Sequence, residues 1–414
     1  MSEKLDLTRS EQLYEEARKL VPGGILGIRR PYNFVPGEYP VFFDHALGGR
    51  CWDVDGNEFV DMLAAYGPII LGHREAEIDA AVVEQMAKGF CMNLAQPLQN
   101  QLAAKLIELI PCAEKVVLVK TGSDATTAAI RIARGVTGRL KVLRCGYHGW
   151  HDWCVEQRGG IPEKYYEDTH EFHYNDIDDL DRLLDQYRDD TAAIIITPLG
   201  HPLAHPIQEP APGFLEAVRE RADAAGIVLI FDEVRTGFRV ALGGAQERYG
   251  VTPDLATFGK AMANGYPISA VVGKADFMNV VEGGVFVSST FFPNSLEMAA
   301  ALKTIEILER EKALDTLWER GEAFLRRVGE VVEASGVPAE LSGIPPMPFI
   351  TFPSDPDKKY KARRTLFYTE LIRRGVFLQP YHHGYLMCRH TEADVVKAID
   401  AIEESLAVVR REIP

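Results

Sequence analysis

Six short apolar, β-branched runs punctuate the middle of this sequence: Val116–Val119, Leu140–Leu143, Ala192–Thr197, Ile227–Phe231, Ala256–Phe258 and Ser269–Val272. None alternates polar with apolar residues. Strands of that kind are buried on both faces, which requires a largely parallel sheet covered by helices. Helical spacing between several of the runs, as in Asp124–Arg134 and Phe214–Ala225, supplies such helices. An α/β domain with a mostly parallel central sheet follows. Beyond it, helical patterns cover Ser295 to about Glu309, Leu314–Ala334, a stretch ending near Arg374, and Glu392 to about Arg410, with a turn-rich segment at Ser342–Asp357 and a short strand near Val376–Leu378. The expected organisation is an N-terminal segment, residues 1–65, joining a smaller α+β domain at 313–414, and a large domain at 66–312.

The 414 residues are 46% hydrophobic and 25% charged, which suits a folded chain and excludes a disordered or fibrous one. A formal charge of -15 repels phosphate backbones and anionic lipid, and with no basic patch evident, nucleic acid and membrane are not expected partners. The six cysteines are scattered without a C-x-x-C pair, the N-terminus is polar, and no stretch offers about 18 uninterrupted apolar residues. The expectation is a cytoplasmic protein with free thiols. No metal site is expected either. His382 and His383 are adjacent, so their side chains diverge, and His201 and His205 lie in a Pro-broken loop that would not align them.

An α/β chain invites a search for nucleotide fingerprints, yet no G-x-G-x-x-G or P-loop pattern occurs. The run Ile227–Phe231 instead delivers Asp232-Glu233-Val234 at its C-terminal end, where open α/β sheets place ligands. Such a carboxylate pair also serves to cap a helix or face solvent. Lys260 stands directly behind the apolar run Ala256–Phe258 among small residues, where an ammonium is costly to desolvate unless it is paired or used covalently. Lys120-Thr121-Gly122-Ser123-Asp124-Ala125 follows another strand and opens a helix, which reads either as a phosphate cradle or as an ordinary N-cap.

Further motifs join these in order: Gly49–Glu58, Gly67–His73, Tyr147-His148-Gly149-Trp150, Thr236-Gly237-Phe238-Arg239 and His390-Thr391-Glu392-Ala393-Asp394. Together they resemble the fold-type I pyridoxal-phosphate enzymes, and within them the class III aminotransferases, near the glutamate-1-semialdehyde aminomutases. The resemblance runs from about Val21 to Ile402. It implies pyridoxal 5′-phosphate as cofactor, attached through Lys260, with Asp232 against the ring nitrogen and Lys260 shuttling the proton as a free amine. It implies that Val234 and Tyr147 sandwich the ring, that His148 belongs to the cofactor site, and that Gly122 and Ser123 bind the phosphate. Thr290 matches a threonine that this family donates across a dimer interface, so a homodimer with shared active sites is implied. Arg29 matches a carboxylate-binding arginine, although a solvated surface arginine is equally consistent with its position. Tyr381, in Tyr381-His382-His383-Gly384-Tyr385, falls in a segment that lines the entrance in relatives. Arg239 reads as structural, and Arg235 is left open.

Two departures separate the chain from the aminomutases. Their usual Glu-Pro-Val-x-Gly-Asn is here Thr197-Pro198-Leu199-Gly200-His201-Pro202, and their Gly-rich gate is here Ser289-Thr290-Phe291-Phe292-Pro293-Asn294-Ser295. Phe and Pro in place of Gly remove loop freedom. The expected activity is therefore ping-pong transfer between an amine or a non-standard, β- or ω-, amino acid and a keto acid or aldehyde. An aminomutase or epimerase, and a non-catalytic protein that binds the cofactor, are the alternatives.

Overall fold

The computed structural model describes residues 2–200 and 206–414, so His201 and His205 lie outside the described residues. Two compact units emerge, one holding residues 2–75, 206–207 and 312–414, the other residues 76–200 and 208–311.

The second unit is built on a seven-stranded sheet. Its strands are β1 (Lys115–Val119), β2 (Lys141–Cys145), β3 (Thr169–Glu171), β4 (Thr191–Ile196), β5 (Val228–Asp232), β6 (Leu255–Phe258) and β7 (Ser269–Gly273). Their order is β1-β7-β6-β5-β4-β2-β3. Five neighbouring strands, β6 through β3, run parallel, while β7 is antiparallel to both of its neighbours. The apolar runs are where the sequence placed them, because β4, β5, β6 and β7 are buried along their whole length. The edge strand β3 was not foreseen, since Thr-His-Glu carries no apolar run.

Helix α1 (Gly122–Thr137) packs an alanine-rich face, Ala125, Ala129 and Ala133, with Ile130 and Ile132, into the core containing Val142, Ile195 and Ile230. Small side chains there allow a close helix–sheet approach. Helix α2 (Phe214–Ala225) follows its expected bounds, stopped by Gly226 in the left-handed region at φ 60. Three loops carry candidate site residues, and all leave C-terminal ends of strands: after β1 into α1, after β5 at Asp232, and after β6 at Lys260.

The first unit joins both ends of the chain. Phe43–Leu47, Arg50–Asp53 and Glu58–Asp61 form an antiparallel sheet that Val376–Phe377 extends in parallel. Tyr39, Phe59 and Phe377 belong to its core, with Phe34 packed against them. The segment read as turn-rich contains a hairpin, Glu340–Ile344 with Met347–Thr351. Its Gly and Pro residues mask the pairing, because Pro345 and Pro346 form the turn and Pro348 lies at the strand entrance. Helices Ala313–Ser335, α3 (Lys359–Arg373) and Glu392–Glu412 complete this unit.

Candidate active site

Strand β5 ends at Asp232, and Asp232 and the next residue, Glu233, have different tasks. Asp232 is buried, and its Oδ2 accepts from His148 Nδ1 at 2.8 Å, while its Oδ1 accepts from Thr257 Oγ1 at 3.1 Å and from the Val234 amide at 3.2 Å. The Thr257 contact arises because β6 pairs in register with β5, setting Thr257 opposite Asp232. Glu233 is fully buried and turned away. It accepts from the Ala245 amide at 2.8 Å, the Gln246 amide at 3.0 Å and the Thr236 hydroxyl, and burial pushes its carboxyl above the usual range. The Asp-Glu pair is therefore one site carboxylate and one loop anchor.

His148 owes its place to α1. Thr126 Oγ1 donates to the His148 carbonyl at 2.7 Å, Trp153 Nε1 donates to Thr127 Oγ1 at 2.9 Å, and the His148 and Trp153 rings stack. Gly149 makes this docking possible. It sits at φ 114, and a Cβ there would come 2.4 Å from Ser123 Oγ. The His148 ring is buried, and among the described residues its Nε2 has no hydrogen-bond partner while its Nδ1 meets Asp232.

Helix α1 begins with a capping box, in which Thr121 Oγ1 accepts from the Asp124 amide at 3.2 Å and Asp124 Oδ2 accepts from the Thr121 amide at 2.9 Å. The Gly122 and Ser123 amides donate to no acceptor among the described residues. Ser123 Oγ accepts from the Trp150 amide at 3.3 Å, leaving its own proton to donate elsewhere. Gly122 is pressed against Val234, since a Cβ there would lie 2.9 Å from Val234 Cγ1.

Lys260 follows β6 with φ 44, the left-handed region that costs a non-glycine residue free energy. Burial and the neighbouring cations Arg235 and Arg239 bring its amine down to about 7, with Asp232 opposing the shift. A strained lysine with a near-neutral amine, in ion-pair distance of no carboxylate among the described residues, is suited to covalent and proton-transfer chemistry. Arg239 and Arg235 are both buried, and both bear on the Lys260 amine.

These groups fit pyridoxal 5′-phosphate. Two free amides and a hydroxyl at a helix N-terminus suit a phosphate, an oriented buried carboxylate suits a protonated ring nitrogen, and a near-neutral amine suits an aldehyde carbon. Tyr147 is half-exposed, and partial burial, with the nearby Cys154 and Asp232, pushes its phenol above the usual range. Thr290 is exposed in a turn closed by the Phe292 amide on the Ser289 carbonyl and makes no side-chain hydrogen bond among the described residues. The contribution of Thr257 was not legible. It lies three residues before Lys260 in an apolar run, and only the strand register reveals it.

Arg29 and Tyr381 belong to the other unit. Arg29 is exposed, its guanidinium 5.2 Å from the Tyr66 ring centroid, and it borders a cavity of about 370 Å³ with Phe34, Tyr66 and His73. Tyr66 is presented by three consecutive left-handed residues, Ala64, Ala65 and Tyr66 at φ 47, 53 and 70, a strained turn of the kind kept at ligand sites. Tyr381 lies under Arg364, whose guanidinium carbon is 4.2 Å from its ring centroid.

Comparison with known proteins accords with this geometry. Residues 34–407 match the family profile "Aminotransferase class-III". The chain is 61% identical over 412 residues to the 3-aminobutyryl-CoA aminotransferase of Cloacimonas acidaminovorans, covering 99% of this chain and 100% of that protein. It is 33% identical over 424 residues to glutamate-1-semialdehyde 2,1-aminomutase 2 of Brevibacillus brevis, covering 96% and 98%. Among solved structures, the FumI protein of Sphingopyxis sp. MTA144, in its PLP internal aldimine form, aligns with a TM-score of 0.93 at 32% identity, covering 98% and 97%.

Proposed function

Since the chain belongs to the class III aminotransferases and is a pyridoxal-phosphate-dependent aminotransferase, we propose that its amino donor is a β-amino acyl thioester of coenzyme A, of the 3-aminobutyryl-CoA kind. A keto acid would be the acceptor. The observation that carries this reading is the 61% identity, end to end, to a protein named for that substrate. The stiffened Thr290–Ser295 loop supports it against an aminomutase, which must retain its intermediate behind a mobile gate.

Pyridoxal 5′-phosphate supplies the electron sink that makes the C–H bond beside the substrate nitrogen acidic. The Gly122 and Ser123 amides and the Ser123 hydroxyl would hold the phosphate. Asp232, kept in place by His148 and Thr257, would hold a proton on the ring nitrogen by its charge. Val234 and Tyr147 would flank the ring. Lys260 Nζ would be the point of attachment and, once freed, would take the proton from the substrate carbon that bears the nitrogen and deliver it two atoms further on, across that nitrogen. Arg29 would receive the carboxylate of the acceptor, since a thioester donor offers none at that end.

The same reading makes the protein a cytoplasmic homodimer, in which Thr290 reaches the phosphate of the neighbouring site. The exposed position of Thr290, the exposed apolar side chains Met92, Leu94, Phe286 and Phe291, and six free cysteines support it. Thr290→Ala is then expected to weaken cofactor retention about ten- to hundredfold, the loss of one charge-assisted hydrogen bond of about 1.5–3 kcal/mol. Equilibrium dialysis against the cofactor measures it, and equal retention in both proteins would remove Thr290 from the phosphate.

The test of the activity is a half-reaction. Holoenzyme mixed with 3-aminobutyryl-CoA alone should release about one equivalent of acetoacetyl-CoA per site and stop, resuming when 2-oxoglutarate or pyruvate is added. Continued isomerisation of a single compound with no escaping carbonyl product would establish the aminomutase instead.

A further inference from the structure

The net charge of -15 conceals a local exception. Five of the seven residues Lys358–Arg364, in the sequence Lys-Lys-Tyr-Lys-Ala-Arg-Arg, are cationic. They straddle the start of α3, where the helix dipole disfavours positive charge and no acidic residue stands in the first turn.

One of the five is accounted for by the fold. Arg363 is buried, paired with Asp355 at 2.8 Å and donating to the Ile413 and Pro414 carbonyls at 3.1 and 2.7 Å. Asp355 also accepts from the Lys359 and Tyr360 amides at 2.8 and 2.9 Å, so the helix end itself is already capped. Lys358, Lys359, Lys361 and Arg364 remain, and none has a carboxylate within ion-pair distance among the described residues. Asp357 is the single other acid in the stretch. Elsewhere Lys88, Lys105, Lys115, Lys141, Lys274 and Lys303 each hold a carboxylate at 2.5–3.1 Å. A concentration of unneutralised cations against a helix dipole is a local cost that a bound polyanion would offset.

Aromatic rings accompany the charge. The Arg364 guanidinium is stacked over Tyr381, with Nη2 donating to the Tyr381 hydroxyl at 3.2 Å, and Lys361 and Arg364 lie 5.9 and 6.0 Å from the Tyr360 ring centroid. A planar guanidinium fixed on a ring offers a stacking face as well as a fork for phosphate. The cluster thus combines point charges, a fork and aromatic faces.

We propose that Lys358, Lys359, Lys361 and Arg364, with Tyr360 and Tyr381, form the subsite for the phosphorylated nucleotide of a coenzyme A thioester. The inference rests on the substrate reading above and assigns the residues that recognise the part of the substrate that does not react. Contacts to a part of the substrate that does not react are made alike before and during the reaction, so their loss raises KM more than it lowers kcat.

The test uses the holoenzyme and a variant with Lys358→Ala, Lys359→Ala and Lys361→Ala, all exposed positions. The variant should bind free coenzyme A and adenosine 3′,5′-bisphosphate at least about tenfold more weakly by calorimetry, with a flatter salt dependence. Its KM for 3-aminobutyryl-CoA should rise in parallel, while kcat and the KM for the N-acetylcysteamine thioester of 3-aminobutyrate stay near parent values. The triple Lys→Arg variant should recover the affinity. Unchanged coenzyme A affinity in the alanine variant, or displacement from the parent by inorganic phosphate as readily as by the bisphosphate, would overturn the proposal. A parent that binds coenzyme A through these lysines yet does not transaminate the thioester would overturn the substrate reading and leave this one standing.

Discussion

Lys260→Ala is expected to abolish amino transfer, lowering kcat by at least about 10⁴-fold, while far-UV circular dichroism and thermal unfolding stay close to the parent. The magnitude follows from losing the point of cofactor attachment and the proton carrier in one change. The fold should tolerate it because the Lys260 side chain makes no hydrogen bond or ion pair among the described residues, and its removal discards a cation crowded by Arg235 and Arg239. The crowding gives a second readout. With the amine held near 7, the neutral, nucleophilic fraction in cofactor-free protein grows as pH rises through that value. The rate at which the apoprotein captures cofactor should therefore climb between about pH 6 and about pH 8, with a midpoint far below the ordinary lysine value of about 10.4. Stopped-flow absorbance measures this rate. A profile still rising above about pH 9 would show that the lysine is not depressed, and near-parent turnover in the alanine variant would transfer the role to another residue.

Asp232→Asn is expected to cut turnover by about 10²–10³-fold with most of the bound cofactor retained, because an amide preserves shape and hydrogen bonding but not charge. His148 and Thr257 still have an oxygen and a nitrogen to meet at that position, so local order should persist. The loss should fall on kcat rather than on substrate KM, since the charge acts only as electrons move. Steady-state kinetics with a single-turnover control separates the two, and an unchanged kcat would assign the ring-nitrogen partner elsewhere. Glu233, one residue on, offers the contrasting control. Its carboxylate binds the Ala245 and Gln246 amides, so Glu233→Gln should act on stability before chemistry.

Legibility of the sequence followed the physics of burial. Strands β4 to β7 announce themselves because both of their faces are apolar, and α2 because Gly226 ends it where the periodicity stops. Lys260 and Asp232 stood out since each follows such a strand with a charge that burial penalises. The edge strand Thr169–Glu171 and the Pro-interrupted hairpin at Glu340–Thr351 were not visible, because their pairing is fixed by neighbours far along the chain. Thr257 was hidden for the same reason. The separate duties of Asp232 and Glu233 depend on which face of β5 each side chain leaves, a matter of pleat that two adjacent acids do not disclose. The basic stretch at Lys358–Arg364 was averaged away by whole-chain charge.

The unit built from both ends of the chain has a consequence for how the protein is made. Residues 76–311 form one nearly continuous stretch and can fold as it leaves the ribosome. The first 75 residues emerge earlier but find their counterparts last. Glu58–Asp61 must wait for Val376–Phe377 to complete its sheet, and the Ser2 amide waits for Glu370. At about 5–20 residues per second, the interval is on the order of 15–60 s. Throughout it Phe34, Tyr39 and Phe59 lack the Phe377 ring that closes their core, leaving an aromatic surface open to chaperones and to aggregation. Yield during overproduction should therefore be limited by this early, incomplete unit rather than by the seven-stranded sheet.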